Sequence, residues 1–260
     1  MLTLSAARKL AQVHGFSSLI TEPTANAKLA KSIGYYNAGI SLAQAKLSGW
    51  NVCKASTPKC RKGCLGGTGR AEFTPMITQT RINRTKCLAT NPNAFWSILR
   101  TEMAKVDRAA KRLGVTVAFR PNILSDIDWH TLFPEMFELF PHWNFYSYTK
   151  VKSKVRKYIE RVLPSNYHVT YSWSERAEMA YVQEIAASGV NIAVPFYDAK
   201  SLKPIIPAKW NGLDVIDGDK SDLRFLDRKG VIVGLKVKLP KRLADRVKRI
   251  KESKGFFVGV

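Results

Sequence analysis

Between Pro92 and Leu113 apolar side chains recur every three or four residues: Phe95, Leu99, Met103, Val106, Ala110 and Leu113. That spacing places them on one stripe of a helix. Asn91-Pro92 supplies a cap and a first-turn proline, and Gly114 a stop. The pattern then changes. Val115-Thr116-Val117-Ala118-Phe119 is a β-branched run that predicts a strand. Five more such runs follow, over residues 143–148, 167–173, 190–196, 213–216 and 231–237. Residues 151–162 and 175–188 have the amphipathic spacing of helices, and a last helix, about 240–253, carries charge on most of its surface.

Strands alternating with helices predict an α/β fold with a mainly parallel sheet. The unbroken run Val190-Asn191-Ile192-Ala193-Val194 suits a strand covered on both faces. The expected form is a partial or distorted TIM-like barrel rather than an open dinucleotide-binding sheet, because no Gly-x-Gly-x-x-Gly follows the first strand. The expected organisation is an N-terminal leader, 1–48, packing on a single α/β domain, 49–260. That domain includes a Cys-rich loop at 49–70 and a basic C-terminal helix.

Charge changes the picture most. Lys and Arg number 42 against 20 Asp and Glu, a net charge of +22. Such an excess repels itself in a compact chain and points to a polyanionic partner, DNA or RNA, over an anionic membrane. A basic solubility surface is the plainer alternative. With 45% hydrophobic residues the chain has the composition of a globular protein. No apolar run reaches eighteen residues, and the N-terminus lacks the charged head and apolar stretch of a signal peptide. The expectation is a cytoplasmic protein without membrane contact, whose four cysteines sit in a reducing compartment and favour metal or redox chemistry.

Cys53, Cys60 and Cys64 fall within a dozen residues, and Gly66, Gly67, Gly69 and Arg70 follow at once. Soft thiolates select iron–sulfur clusters or zinc, and the glycines would let backbone approach a cofactor closely. The spacing is that of neither a zinc ribbon nor a ferredoxin, so an iron–sulfur cluster, structural zinc and unligated thiols all stay open. Cys87 is the fourth candidate metal ligand. With it the site would be closed; without it one coordination position would be open. Lys54, Lys59, Arg61, Lys62 and Arg70 in the same loop could stabilise thiolates or hold a phosphate.

Polar residues follow the apolar strand runs, and parallel α/β proteins bind ligands at that end of the sheet. The candidates there are Arg120, Asn122, Asp126, Lys150, Glu175, Asp217 and Asp219. In an enzyme Glu175 or Asp217 could act as base, and Lys150 or Arg120 could stabilise an anion. Each loop alone also reads as capping and turn chemistry, with Ser174 a cap and Asp217-Gly218-Asp219 a turn. Asp217, Asp219 and Asp222 could alternatively hold Mg²⁺. The four histidines have no metal or relay spacing, and no P-loop or Gly-x-Ser-x-Gly elbow occurs, which argues against NTPase and hydrolase readings. For nucleic acid the candidates are Lys152, Lys154, Arg156 and Lys157 around Tyr158, and Lys241, Arg242, Arg246, Lys248 and Arg249 on the last helix. A solvated helix surface is the alternative there. No helix-turn-helix, zinc-finger or RNP signature supports base-specific readout.

Several motifs in consistent order resemble the phage gene product 88 family. They are Ser48-Gly49-Trp50-Asn51-Val52-Cys53, Arg120-Pro121-Asn122 with Ser125-Asp126-Ile127-Asp128-Trp129, Phe145-Tyr146-Ser147-Tyr148-Thr149-Lys150, Tyr167-His168-Val169-Thr170-Tyr171-Ser172, and Val215-Ile216-Asp217-Gly218-Asp219 with Asp222-Leu223-Arg224-Phe225. The resemblance runs from about Lys46 to the C-terminus and implies a protein of phages or mobile elements. In outline that family is similar to iron–sulfur barrels of the radical S-adenosylmethionine kind, which brings S-adenosylmethionine in as a conceivable cofactor. The cysteine spacing here differs from their Cys-x3-Cys-x-x-Cys, and no clear glycine-rich cofactor motif accompanies it. The functional expectation is a nucleic-acid-associated protein with a Cys-ligated, iron–sulfur centre, acting as a nucleic-acid-modifying or radical-type enzyme. The competing expectations are a non-enzymatic DNA- or RNA-binding protein with structural zinc, and an inhibitor of a host protein.

Overall fold

A computed structural model describes residues 2–23, 34–65 and 74–260. Strand β1 (Ile20–Thr21) pairs antiparallel with β2 (Tyr35–Ile40). From β2 onward the pairing is parallel and sequential, through β3 (Thr116–Arg120), β4 (Asn144–Thr149), β5 (Tyr167–Ser172) and β6 (Ile192–Tyr197). Next in the chain come β7 (Lys209–Trp210), β8 (Leu213–Asp217) and β9 (Ile232–Lys236), but the sheet takes them in the order β9, β8, β7. A last short strand, β10 (Val258–Gly259), pairs parallel with the far end of β6. The result is a ten-stranded, mostly parallel sheet that is not closed.

The helices are α1 (Leu4–Val13), α2 (Pro58–Lys62), α3 (Pro75–Thr90), α4 (Pro92–Arg112), α5 (Trp129–Leu132), α6 (Glu135–Glu138), α7 (Lys152–Ile159), α8 (Met179–Ala187) and α9 (Leu243–Ser253). The stripe read from the sequence is the buried face of α4, with Phe95, Leu99, Met103, Val106 and Ala110 in the main core. Asn91 caps it, its Oδ1 accepting from the Ala94 amide at 3.1 Å. Leu113, assigned to the same stripe, lies just past the end of the helix and is exposed.

Alternation along the strands sends the two sets of side chains to opposite faces. One set, including Val117, Phe119, Phe145, Val169, Ile192 and Val194, joins α4, Trp129 and Trp143 in the main core. Burying each such side chain stabilises the fold by roughly 1.5–3 kcal/mol. On the other face Ala118 and Tyr146 pack on Leu223, with Tyr35 and Phe225 against them. The connection between β8 and β9 therefore covers the second face of the sheet.

All six runs expected to be strands are strands, each within two residues of its expected ends. The first 48 residues behave differently from a leader laid on a finished domain. They supply β1 and β2, and β2 pairs with β3 over five positions from Tyr35↔Thr116 to Gly39↔Arg120. Tyr-Tyr-Asn-Ala-Gly-Ile has a single β-branched residue, so its strand character comes from the neighbouring strand rather than from local preference. The Glu102 carboxylate on α4 accepts from the Leu19 and Ile20 amides at 3.0 and 2.8 Å, which ties β1 to the same core.

Candidate functional site

Because β2 to β6, β8 and β9 run parallel, their carboxyl ends open on one side of the sheet. A cleft of about 210 Å³ lies there, and its wall includes Cys53, Cys60, Cys64, Arg120, Asn122, Asp126, Lys150 and Asp219. Eight residues singled out from the sequence thus share one cleft. Glu175, Asp217 and Cys87 do not line it. The candidate cofactor loop, Gly66, Gly67, Gly69 and Arg70, lies outside the described residues.

The cysteine loop is held from several directions. Cys53 donates its backbone N–H to Asn51 Oδ1 at 3.1 Å, and its thiol points at the Leu124 carbonyl, 3.4 Å away. Thr57, 2% exposed, caps α2: its hydroxyl oxygen accepts from the Cys60 amide at 3.0 Å and its proton goes to Glu175 Oε2 at 2.9 Å. Gly63 ends that helix, and a Cβ there would stand 2.8 Å from ring carbons of Phe256 and Phe257. Arg249 on α9 donates to the Cys64 carbonyl at 3.2 Å. The basic C-terminal helix therefore braces the cysteine loop.

Burial, with Cys64, Asp126 and Cys60 close by, pushes the Cys53 thiol up to about 11. Cys87 belongs to a different environment. It sits on α3, 2% exposed, in the main hydrophobic core, where burial raises its thiol to about 11. The donor set at the cleft is three thiols, and among the described residues no three His, Cys, Asp or Glu side chains stand close enough together to hold a metal ion as they are. The chemistry of the set still suits a soft metal, since a cation at the convergence of thiols stabilises their thiolate forms.

The strand-end residues divide by what they touch. Arg120 Nη1 reaches both Asp222 oxygens, at 3.0 and 2.9 Å, and its guanidinium lies 4.5 Å over the Tyr148 ring. Burial opposes its charge, but Asp222 outweighs burial and holds the guanidinium firmly protonated. Tyr146 donates to the same carboxylate at 3.1 Å. Asn122 organises its own loop: Oδ1 accepts from Ser125 Oγ at 2.7 Å, Trp129 Nε1 at 2.9 Å and the Ile127 amide at 3.1 Å. Asp126 accepts from Thr149 Oγ1 at 2.7 Å, the Lys150 amide at 2.8 Å and Lys154 Nζ at 2.9 Å. Lys150 donates to Ser172 Oγ and lies 4.9 Å from the centre of the Phe256 ring. Asp217 Oδ1 accepts from the Asp219 amide at 2.9 Å, a turn contact, and Asp219 in turn accepts from the Lys236 amide at 2.9 Å. Asp222 is committed to Arg120, so the three aspartates do not converge as a Mg²⁺ site would require.

The expected nucleic-acid residues also divide. Lys152, Arg156, Lys157, Lys241, Arg242 and Lys248 are exposed. Lys152 lies 4.5 Å over the Tyr181 ring, and Arg156 pairs with Glu160 at 2.8 Å. Arg246 and Arg249 are half-buried. Lys154 is the correction: its side chain is 1% exposed and pairs with Asp126 at 2.9 Å and Asp128 at 2.8 Å, so it cannot meet a phosphate. It lies one position before Val155, the buried apolar residue of α7, and the helix turns both inward.

The cleft also contains groups the sequence did not mark as site residues. Lys236 and Lys238 line it beside Tyr148, Ser172, Phe256 and Phe257. Lys236 ends β9 as Arg120 ends β3, so the strand-end rule could have found it. Nothing local marks Phe256.

Fold and site together define an α/β protein with a thiol- and cation-lined cleft at the carboxyl ends of its parallel strands. The chain belongs to the Gene product 88 family, whose family model matches residues 17–253. No curated protein and no solved structure matches it. Among the described residues no helix is long and apolar enough to cross a membrane.

Proposed function

We propose that this chain is a phage-type, nucleic-acid-associated enzyme in which Cys53, Cys60 and Cys64 hold an iron–sulfur centre at the cleft. The observation that carries the reading is that all three of these cysteines line the cleft, while Cys87 lies in the hydrophobic core. Three ligands leave a coordination position open toward the cleft, as in catalytic rather than structural metal sites. The rising strand order β2-β3-β4-β5-β6 supports reading the sheet as an unclosed, partial TIM-like barrel with its chemistry at the carboxyl end.

The centre, when bound, would supply an open metal position for one-electron or Lewis-acid chemistry. The chain's own residues position what enters. Thr57 and Glu175 hold the loop that carries Cys60, and Arg249 steadies Cys64 from α9. Lys150, at the end of β4, offers a cation to an anionic group. S-adenosylmethionine is one ligand such a site could take. Exposed cations on α7 and α9 would meet a phosphate backbone.

Anaerobic iron, zinc and acid-labile sulfide analysis tests the reading. Iron and sulfide are expected in wild type and in Cys87→Ala, and lost in Cys53→Ala, Cys60→Ala and Cys64→Ala. A single tightly held zinc with no sulfide would turn the reading toward a structural site in a binding protein. Metal-free protein under argon, after reconstitution with iron and sulfide, would end it.

A further inference from the structure

The acidic groups of the cleft are each already matched. Asp126 receives the Lys154 ammonium at 2.9 Å, besides a hydroxyl and an amide. Asp222, which does not line the cleft, takes the cleft's Arg120 at 2.9 Å. Asp219 takes the Lys236 amide at 2.9 Å and faces the Lys238 ammonium at 3.5 Å. Two cations of the same cleft have no carboxylate partner among the described residues. They are Lys150, which has the Ser172 hydroxyl and the face of Phe256, and Lys236, whose backbone amide but not its ammonium is bonded to Asp219. Much of the rest of the wall is apolar and partly aromatic, with Tyr148, Pro195, Leu235, Val237, Phe256 and Phe257.

An ammonium that faces a cleft with no counter-charge is worth more to an anionic ligand than one already paired, because no existing ion pair must be broken first. Aromatic and apolar walls favour a flat body that stacks, as bases do on aromatic side chains in single-stranded nucleic acid complexes. We propose that the cleft binds one nucleotide unit, its phosphate held by Lys150 and Lys236 and its base against the apolar wall. This deepens the reading given above, and rests on it only for the chemistry that would follow binding. The cleft, at about 210 Å³, is far too small for a duplex.

The test is calorimetric titration of the full-length protein with AMP, adenosine and inorganic phosphate at 150 mM salt, both as purified and after reconstitution with iron and sulfide under argon. AMP is expected to bind at least tenfold more tightly than adenosine or phosphate alone. Lys150→Gln and Lys236→Gln should each weaken AMP about tenfold, while Lys9→Gln, on the exposed side of α1, leaves it unchanged. Thermal melting of each variant separates lost binding from lost folding. Competition by a short single-stranded oligonucleotide tells a strand's nucleotide from a free one: displacement of AMP assigns the site to a strand, and no displacement assigns it to a free nucleotide. Equal affinity for AMP and adenosine, AMP binding indifferent to both lysine variants, or no AMP binding in either preparation would overturn the proposal. Metal analysis on the same samples keeps the two ideas separable, since a metal-bearing protein that ignores AMP sinks this inference alone.

Discussion

The Thr57 hydroxyl spans two parts of the chain, accepting from the Cys60 amide at 3.0 Å and donating to Glu175 Oε2 at 2.9 Å. Glu175, a base candidate by sequence, is thereby engaged in holding the cysteine helix. A hydrogen bond to a charged group contributes about 1.5–3 kcal/mol, and the buried Thr57 loses its acceptor if Glu175 is truncated. Glu175→Ala should lower stability by that amount in urea unfolding and speed alkylation of Cys60. Glu175→Gln, which keeps an acceptor, should do far less. Identical unfolding midpoints and alkylation rates across all three proteins would show that the bond does not hold the loop.

Arg120 and Asp222 form a buried ion pair, with side chains 13% and 4% exposed. Removing one member of such a pair strands the other charge and costs about 3–5 kcal/mol. Asp222→Ala should therefore destabilise strongly, and adding Arg120→Met should recover part of the loss. A double variant as unstable as the sum of the two singles would mean that the two side chains do not interact energetically.

Asp107 gives the fold an acid-sensitive contact. Burial works against its charge, but Lys111, Trp143 and His142 hold the carboxyl down at about 2, below its usual 3.8. Since the folded protein favours the ionised form, the stabilisation is complete above about pH 4 and is lost as pH falls through about 2. Asp107→Asn should be less stable than wild type at neutral pH, with the gap narrowing between pH 4 and 2. A gap that stays constant across that range would rule out the linkage.

Lys154 and the exposed cations separate stability from phosphate contact. Lys154→Met leaves Asp126 without its 2.9 Å partner and should destabilise the fold while leaving the salt dependence of DNA binding unchanged. For exposed Lys241, Arg242 and Lys248, each neutralisation should lower the slope of log K against log salt by about one, with little change in melting. Slopes unaltered by all three would remove the segment 241–248, at the start of α9, from the proposed interface.

Much of the fold was legible locally. The α4 stripe and the six β-branched runs are periodic signals carried by neighbouring residues, and each formed the expected element. β2 was not legible, because Tyr35–Ile40 takes its strand form from pairing with β3 about 80 positions away along the chain (for example, Asn37 with Ala118). Lys154 was misread for a related reason. Composition marks it as a surface cation, whereas the rotation of α7 turns it onto Asp126 and Asp128.

Residue order alone determined that this chain alternates strands with helices, carries a large positive charge, and sets three cysteines close together ahead of its first long helices. Tertiary structure decided which of those groups meet. It sent Cys87 into the core, brought Cys53, Cys60 and Cys64 to the strand ends, and gave Thr57 a partner 118 residues away. Periodicity records which face of an element is apolar, because that depends on neighbours in the chain. Partners across a cleft depend on strand order and loop path, for which local spacing has no signal.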